Sequence, residues 1–191
     1  IDNKNISLFL GSDFHYVIYP INPIGELNFI AIIKYHLSKE QQKNTSLFSE
    51  HSFIKKVLEK IPLGNQDLIN DLKNLKIFPV FVSDKFYKIQ INNIHLVGDA
   101  FFAFPPSFAQ GASQSIEGAY ELFKNIENNT QHNFFKNRES KTKMVNARSK
   151  FNQFAFHLSN PLTTLFRNFF LKKLVKNKKF LEFYLGKIYK N

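Results

Sequence analysis

Gly98 and Asp99 follow directly on the apolar run Ile94-His95-Leu96-Val97, so a short buried strand is expected to deliver them at its C-terminal end. Loops that leave such strand ends form the crevices in which open sheets bind ligands. A glycine there lets a ligand approach the backbone closely, and a carboxylate supplies an acceptor for hydroxyl groups. Pro105 and Pro106 stiffen the loop that follows. Gln110-Gly111 then opens a helix with Ala112, Ile116, Ala119, Phe123 and Ile126 along one face. Free N–H groups at a helix start, at the positive end of its dipole, favour anionic or electron-rich ligand atoms. One segment thus combines a hydroxyl-binding carboxylate with an anion-favouring helix end.

A flavin has both needs, in its polyol ribityl chain and in a pyrimidine edge that becomes negative on reduction. The alternative reading of a Gly-Asp pair is a plain turn before a core helix. Other chemistry finds less support. The six histidines, at 15, 36, 51, 95, 132 and 157, show no metal-ligand spacing, and no metal site is expected. His95 lies inside the run before Gly98 and reads as a packed or turn-facing residue. Ser107 and Ser113 lack the strand-Gly-x-Ser-x-Gly setting of a hydrolase nucleophile. The absence of cysteine excludes disulfides, thiolate metal sites and thiol nucleophiles. No residue is identified as a catalytic acid or base. Phe101, Phe102, Phe104 and Phe108 read as loop packing.

Several elements must position that segment. Ser7-Leu8-Phe9-Leu10, His15-Tyr16-Val17-Ile18-Tyr19 and Leu27-Asn28-Phe29-Ile30-Ala31-Ile32-Ile33 alternate as strands do, and short turns containing Gly11, Pro23 and Gly25 separate them. Strands at about 7–10, 14–20 and 26–34 are expected in one antiparallel sheet, with a separate strand at 94–97. From Ser46 the pattern turns helical, with Phe53, Val57, Leu58 and Ile61 on one face and Pro62 as the stop. A second helix is expected from Asp67 to Leu75. Residues 77–82 and 86–89 look extended, and Asn92-Asn93 turns the chain. After Asn128-Asn129 the rest reads as helix to the C-terminus, interrupted at Asn160-Pro161.

A chain of 191 residues with 43% hydrophobic and 16% aromatic residues can bury a substantial core. Its net charge is +11, with the cations concentrated after residue 135. A basic domain on nucleic acid or an anionic membrane is one reading of that charge. A solvated face on Lys-rich helices is the simpler one, and no nucleic-acid partner is expected. No run reaches the roughly 18 apolar residues of a membrane span, and no signal peptide is visible at the start.

Residues 94–119 resemble the second FAD signature of the flavoprotein monooxygenases, the para-hydroxybenzoate hydroxylase superfamily. The matching residues are Gly98, Asp99, Ala100, Pro105, Pro106, Gln110, Gly111, Ala112, Glu117 and Ala119. Residues 15–33 are similar to strands of that family's substrate domain. Arg138, Arg148, Asn160-Pro161-Leu162 and Tyr184 resemble the closing helices of its salicylate-hydroxylase-like branch. The resemblance implies FAD binding by Gly98, Asp99, Pro106, Gly111, Ala112 and Ser113, with Asp99 on the ribityl hydroxyls and the last three amides toward the pyrimidine ring. It implies NAD(P)H and O2 as co-substrates and a small aromatic or apolar substrate that is hydroxylated. The Phe-rich loop and residues 15–33 would border that substrate. A reductase or a halogenase of the same superfamily is the alternative enzyme.

The sequence departs from the signature at Phe102, Ala109, Ser113 and Gly118, where the family has His, Gly, Asn and Asp. The glycine turn that cradles the FAD diphosphate has no counterpart, since the seven glycines stand at 11, 25, 64, 98, 111, 118 and 186. The expected fold class is therefore α+β: a C-terminal fragment of an α/β FAD-binding domain (91–128), an antiparallel-sheet substrate-binding part with helices (1–90), and C-terminal helices (129–191). Such a fragment is expected to be inactive alone. The expected location is cytoplasmic, with the basic helices available for peripheral contact with the inner face of a membrane. Nothing in the sequence sets the oligomeric state.

Overall fold

The computed structural model describes residues 5–61, 75–89 and 94–189. It has an α+β architecture, with one three-stranded antiparallel sheet and six α-helices among the described residues. The chain divides into two compact units, Ile1–Val80 with Phe156–Ser159, and Phe81–Ala155 with Asn160–Asn191.

The first unit is built on the sheet β1 (Ser7–Gly11), β2 (Phe14–Pro20) and β3 (Leu27–Ile33), in that order. All three strands fall where the alternation of apolar and polar residues puts them. Register is held by cross-strand aromatic pairs. Phe9 faces Tyr16 across β1 and β2, and their rings stack 4.5 Å apart. Tyr16 meets Phe29 of β3 at 5.6 Å. One sheet face packs Phe14 against Leu58 and Ile61, with Tyr16, Phe29 and Ile33 around them.

Helix α1 (Lys39–Lys43) carries no apolar period, and periodicity does not predict it. A capping box makes it: the Ser38 hydroxyl accepts from the Gln41 amide, and the Gln41 side chain accepts from the Ser38 amide. The helical stretch expected from Ser46 is a 3₁₀ turn, Thr45–Ser49, followed by α2 (His51–Leu58). Phe53, Val57, Leu58 and Ile61 are all buried, as their spacing predicts. Pro62, the expected 67–75 helix up to its last residue, and the Asn92-Asn93 turn lie outside the described residues.

The second unit holds α3 (Gly111–Glu127), α4 (Gln131–Phe156), whose last residue belongs to the first unit, α5 (Pro161–Leu174) and α6 (Lys178–Tyr189). Helix α3 begins where the Gln110-Gly111 signal places it. Asn160 caps α5 by accepting from the Leu162 and Thr163 amides, and Pro161 fills the first helical position, where its missing N–H costs nothing. The core gathers Phe101, Phe102 and Phe134, with Phe86, Leu96 and Phe135 packed on them. Each fully buried Phe contributes roughly 1.5–3 kcal/mol.

One expectation fails here: residues 94–97 form no strand. Residues 77–82 and 86–89, expected only to be extended, carry no helix and join no ladder among the described residues. An apolar run becomes a strand only when a partner supplies hydrogen bonds, and 94–97 joins no sheet partner among the described residues. The link that does form is local to the Phe loop: the Ser83 amide donates to the Ala103 carbonyl (2.9 Å), and the Ala103 amide donates to the Ser83 hydroxyl (3.0 Å).

Candidate functional site

Gly98, Asp99 and Ala100 form a single 3₁₀ turn packed on the first part of α3. The Gly98 carbonyl accepts from the Phe101 and Phe102 amides, both at 3.0 Å, which closes the turn. Gly98 has φ +60, a backbone conformation that favours glycine, and a Cβ there would come within 2.8 Å of the Ser115 hydroxyl. Only glycine allows the turn and the helix to lie this close. Phe101 and Phe102 then plunge into the core and anchor the turn from below, 7% and 2% exposed. Phe102 stands where the family signature has a histidine. Its side chain belongs to the core, so the departure alters packing.

The 3₁₀ turn Pro106–Phe108 leads to Ala109, which takes φ 51, ψ 34. This is the position at which the signature has glycine, and the left-handed conformation costs alanine about 1–2 kcal/mol. No side chain caps α3, and its first backbone bond runs from the Gln114 amide to the Gln110 carbonyl (2.9 Å). The amides of Gly111, Ala112 and Ser113 precede that bond and have no intrahelical acceptor. Ala112, Ser113, Asp99 and Pro106 are exposed, and Gly98 and Gly111 half-buried. A Cβ at Gly111 would project into open space, with nothing within 4 Å. The Asp99 carboxylate makes no ion pair among the described residues.

The motif groups Gly98, Asp99, Gly111, Ala112 and Ser113, and the turn does pack on the head of α3. It does not reveal what holds them. Arg138 of α4 is 3% exposed and reaches across to α3. It donates to the Gln114 carbonyl (2.6 Å) and the Gln114 side-chain oxygen (2.8 Å), and pairs with Glu117 (3.4 Å) and Glu121 (3.5 Å). Lys141 also bonds Glu117. Burial raises the Glu121 carboxyl above its usual range, more than Arg138 lowers it. Gly118 makes the approach possible: a Cβ there would meet the Arg138 Nε at 3.2 Å. The signal was present in the sequence, since the small residues Ser115 and Gly118 stand three apart on one helix face, where Gly98 and Arg138 approach closely.

That face is the buried one, so the apolar face of α3 points outward. Ile116, Tyr120, Phe123 and Ile126 are 73%, 62%, 53% and 52% exposed. Within the unit, Gly98, Phe101, Phe102, Gln114, Gly118 and Arg138 help line a cavity no larger than a water molecule. His95 is half-buried with its ring edge-on to Phe134 at 6.1 Å. Phe108 leaves the Phe cluster and packs on Tyr184 at 5.7 Å. Among the described residues, no group of three or more His, Asp or Glu side chains is placed to hold a metal ion.

No family model matches the chain, and no curated protein matches it significantly.

Proposed function

We propose that this chain supplies the ribityl- and pyrimidine-binding side of an FAD site in a flavin-dependent aromatic hydroxylase. The observation that carries the reading is the Gly98-Asp99 turn packed beside a helix head that no side chain caps, with Asp99, Ala112 and Ser113 exposed and Gly111 half-buried. These groups fit the cofactor: Asp99 would accept from ribityl hydroxyls, and the amides of Gly111, Ala112 and Ser113 would donate to the pyrimidine edge. The bare backbone at Gly111 leaves room for a flat ring. When bound, FAD supplies the redox chemistry, with NAD(P)H as reductant and O2 as oxidant. The chain's own part is to bind and orient the cofactor, to favour negative charge at the helix head, and to exclude water with the Phe loop. The substrate class is a small aromatic or apolar molecule.

The diphosphate-cradling glycine turn is not among these 191 residues. The exposed apolar face of α3 is the surface on which a part carrying it would pack, since patches of this kind are usually covered. Oxygen-consuming NAD(P)H oxidation with substrate turnover separates the hydroxylase from a reductase or halogenase on the same scaffold.

In the full-length protein, Asp99→Ala should weaken FAD binding about ten- to hundredfold, because hydrogen bonds to charged groups contribute roughly 1.5–3 kcal/mol. Lys176→Ala, which also removes one charge, should leave affinity unchanged. Flavin fluorescence during titration of apoprotein reads both. Equal affinities for Asp99→Ala and wild type would remove Asp99 from the site.

A further inference from the structure

Helix α5 wears its apolar face outward. Leu162, Leu165, Phe166, Phe169 and Phe170 recur at the i, i+3, i+4, i+7, i+8 spacing that ordinarily marks the face a helix turns to the core. Yet they are 67%, 67%, 64%, 54% and 54% exposed, and the helix has no buried residue. The half-buried positions, Thr164, Arg167, Leu171 and Leu174, fall on the opposite side. Arg167 is engaged there, donating to the Ala155 carbonyl at 3.3 Å. Five large side chains on one outward face are too many to be the scattered hydrophobics of an ordinary surface.

Charge decides what should cover them. Residues 140–181 contain ten Lys and Arg and no Asp or Glu. Lys172 and Lys173 sit in the last turn of α5, and Lys176, Lys178 and Lys179 follow. Lys173 shares the apolar face, with its ammonium 4.4 Å over the Phe169 ring. Such a side chain lays its stem along an apolar surface and keeps its charge at the boundary with water. A second copy docked by the same face would bury the stripe but bring no acidic residue of this segment to the lysines. Nucleic acid would pair with the lysines and leave Leu162 and Leu165 with nothing apolar to enter. An anionic bilayer surface offers acyl chains to the stripe and headgroup charge to the lysines. No helix among the described residues is long and apolar enough to cross a membrane, so the contact would lie in the plane of the interface.

We propose that α5 is an interfacial helix that docks the protein on anionic lipid, with Leu162, Leu165, Phe166, Phe169 and Phe170 inserted between headgroups and the Lys172–Lys179 cations against them. The chain contains no Trp, so Phe169→Trp places a single indole reporter on the stripe. Vesicles of phosphatidylcholine containing phosphatidylglycerol should sediment the full chain and shift the indole emission to shorter wavelength. Pure phosphatidylcholine vesicles should bind about tenfold less or weaker still. Phe166→Ser with Phe169→Ser should lower anionic-vesicle binding at least about tenfold, with the melting temperature unchanged because both rings are exposed. Three results would each overturn the proposal: failure of the wild-type chain to bind anionic vesicles, a short-wavelength emission from the Phe169→Trp reporter that appears without lipid as the protein self-associates, or displacement of the chain from vesicles by a single-stranded oligonucleotide at physiological ionic strength. If the double variant melts lower, quenching of the indole reporter by brominated acyl chains decides: quenching supports insertion, and its absence contradicts it.

Discussion

Arg138→Ala is expected to destabilise the second unit by about 3–5 kcal/mol, the range for breaking a buried ion pair from one side. Arg138 is nearly inaccessible, and its guanidinium satisfies two oxygens of Gln114 while neutralising Glu117 and Glu121. Its loss would strand those acceptors beside the gap that Gly118 leaves for it. Glu121, already pushed up by burial, would lose its main counter-charge and titrate higher still. Arg138→Lys should recover only part of the loss, because a single ammonium cannot serve the carbonyl, the amide oxygen and two carboxylates at once. Urea unfolding measures the series. A loss under about 1 kcal/mol for Arg138→Ala would mean that the network contributes little, as exposed ion pairs do.

Acid should destabilise the first unit through a second buried polar pair. His15 of β2 is 2% exposed, and its Nδ1 lies 2.8 Å from the His157 Nε2. One ring must donate and the other accept, which requires at least one neutral imidazole. Burial, and then the charge of His157, lowers the His15 pKa from 6.5 to about 4. His157 is lowered too, chiefly by burial, with Asp13 pulling the other way. Between those pH values the unfolded chain takes up a proton that the folded pair refuses. Stability from His15 is therefore full above about pH 6.5 and is lost as pH falls toward 4, by about 3 kcal/mol. His15→Gln should flatten that part of the profile, and the difference between the two curves removes the contribution of the carboxylates. Parallel losses in wild type and variant would show that the pair does not refuse the proton.

How far the sequence could be read follows from how local each feature is. Strands β1 to β3 were legible because alternation and turn residues are written within a few positions, and α3 because Gln110-Gly111 breaks a proline loop. The Asn160-Pro161 break between α4 and α5 was equally plain. Periodicity tells which residues share a face but not which face is covered, so the outward stripes of α3 and α5 could not be foreseen. Arg138 and Gln114 are 24 positions apart, and His15 and His157 142 apart. No window spans such pairs. Strand formation at 94–97 depends on a neighbour, which the apolar run itself cannot specify.

Within the candidate site, the motif brought out Gly98, Asp99 and the helix-head amides, because those groups stand close together in one short run of sequence. Ser115, which fixes Gly98 as glycine, and Arg138, which holds α3, act on the protein's own packing and carry no ligand signature. Ala109 shows the reverse case. A glycine position was recognisable by resemblance, and the left-handed backbone explains why glycine suits it.

Amide hydrogen exchange of the full-length protein, with and without FAD, tests flavin binding at this site most directly. The amides of Gly111, Ala112 and Ser113 have no intrahelical acceptor and should exchange fast in the free protein. FAD should slow them, together with the backbone of Gly98 and Asp99, and leave residues 172–179 unchanged. Unaltered exchange at the head of α3 while FAD binds and protects other segments would contradict flavin binding by this turn and helix.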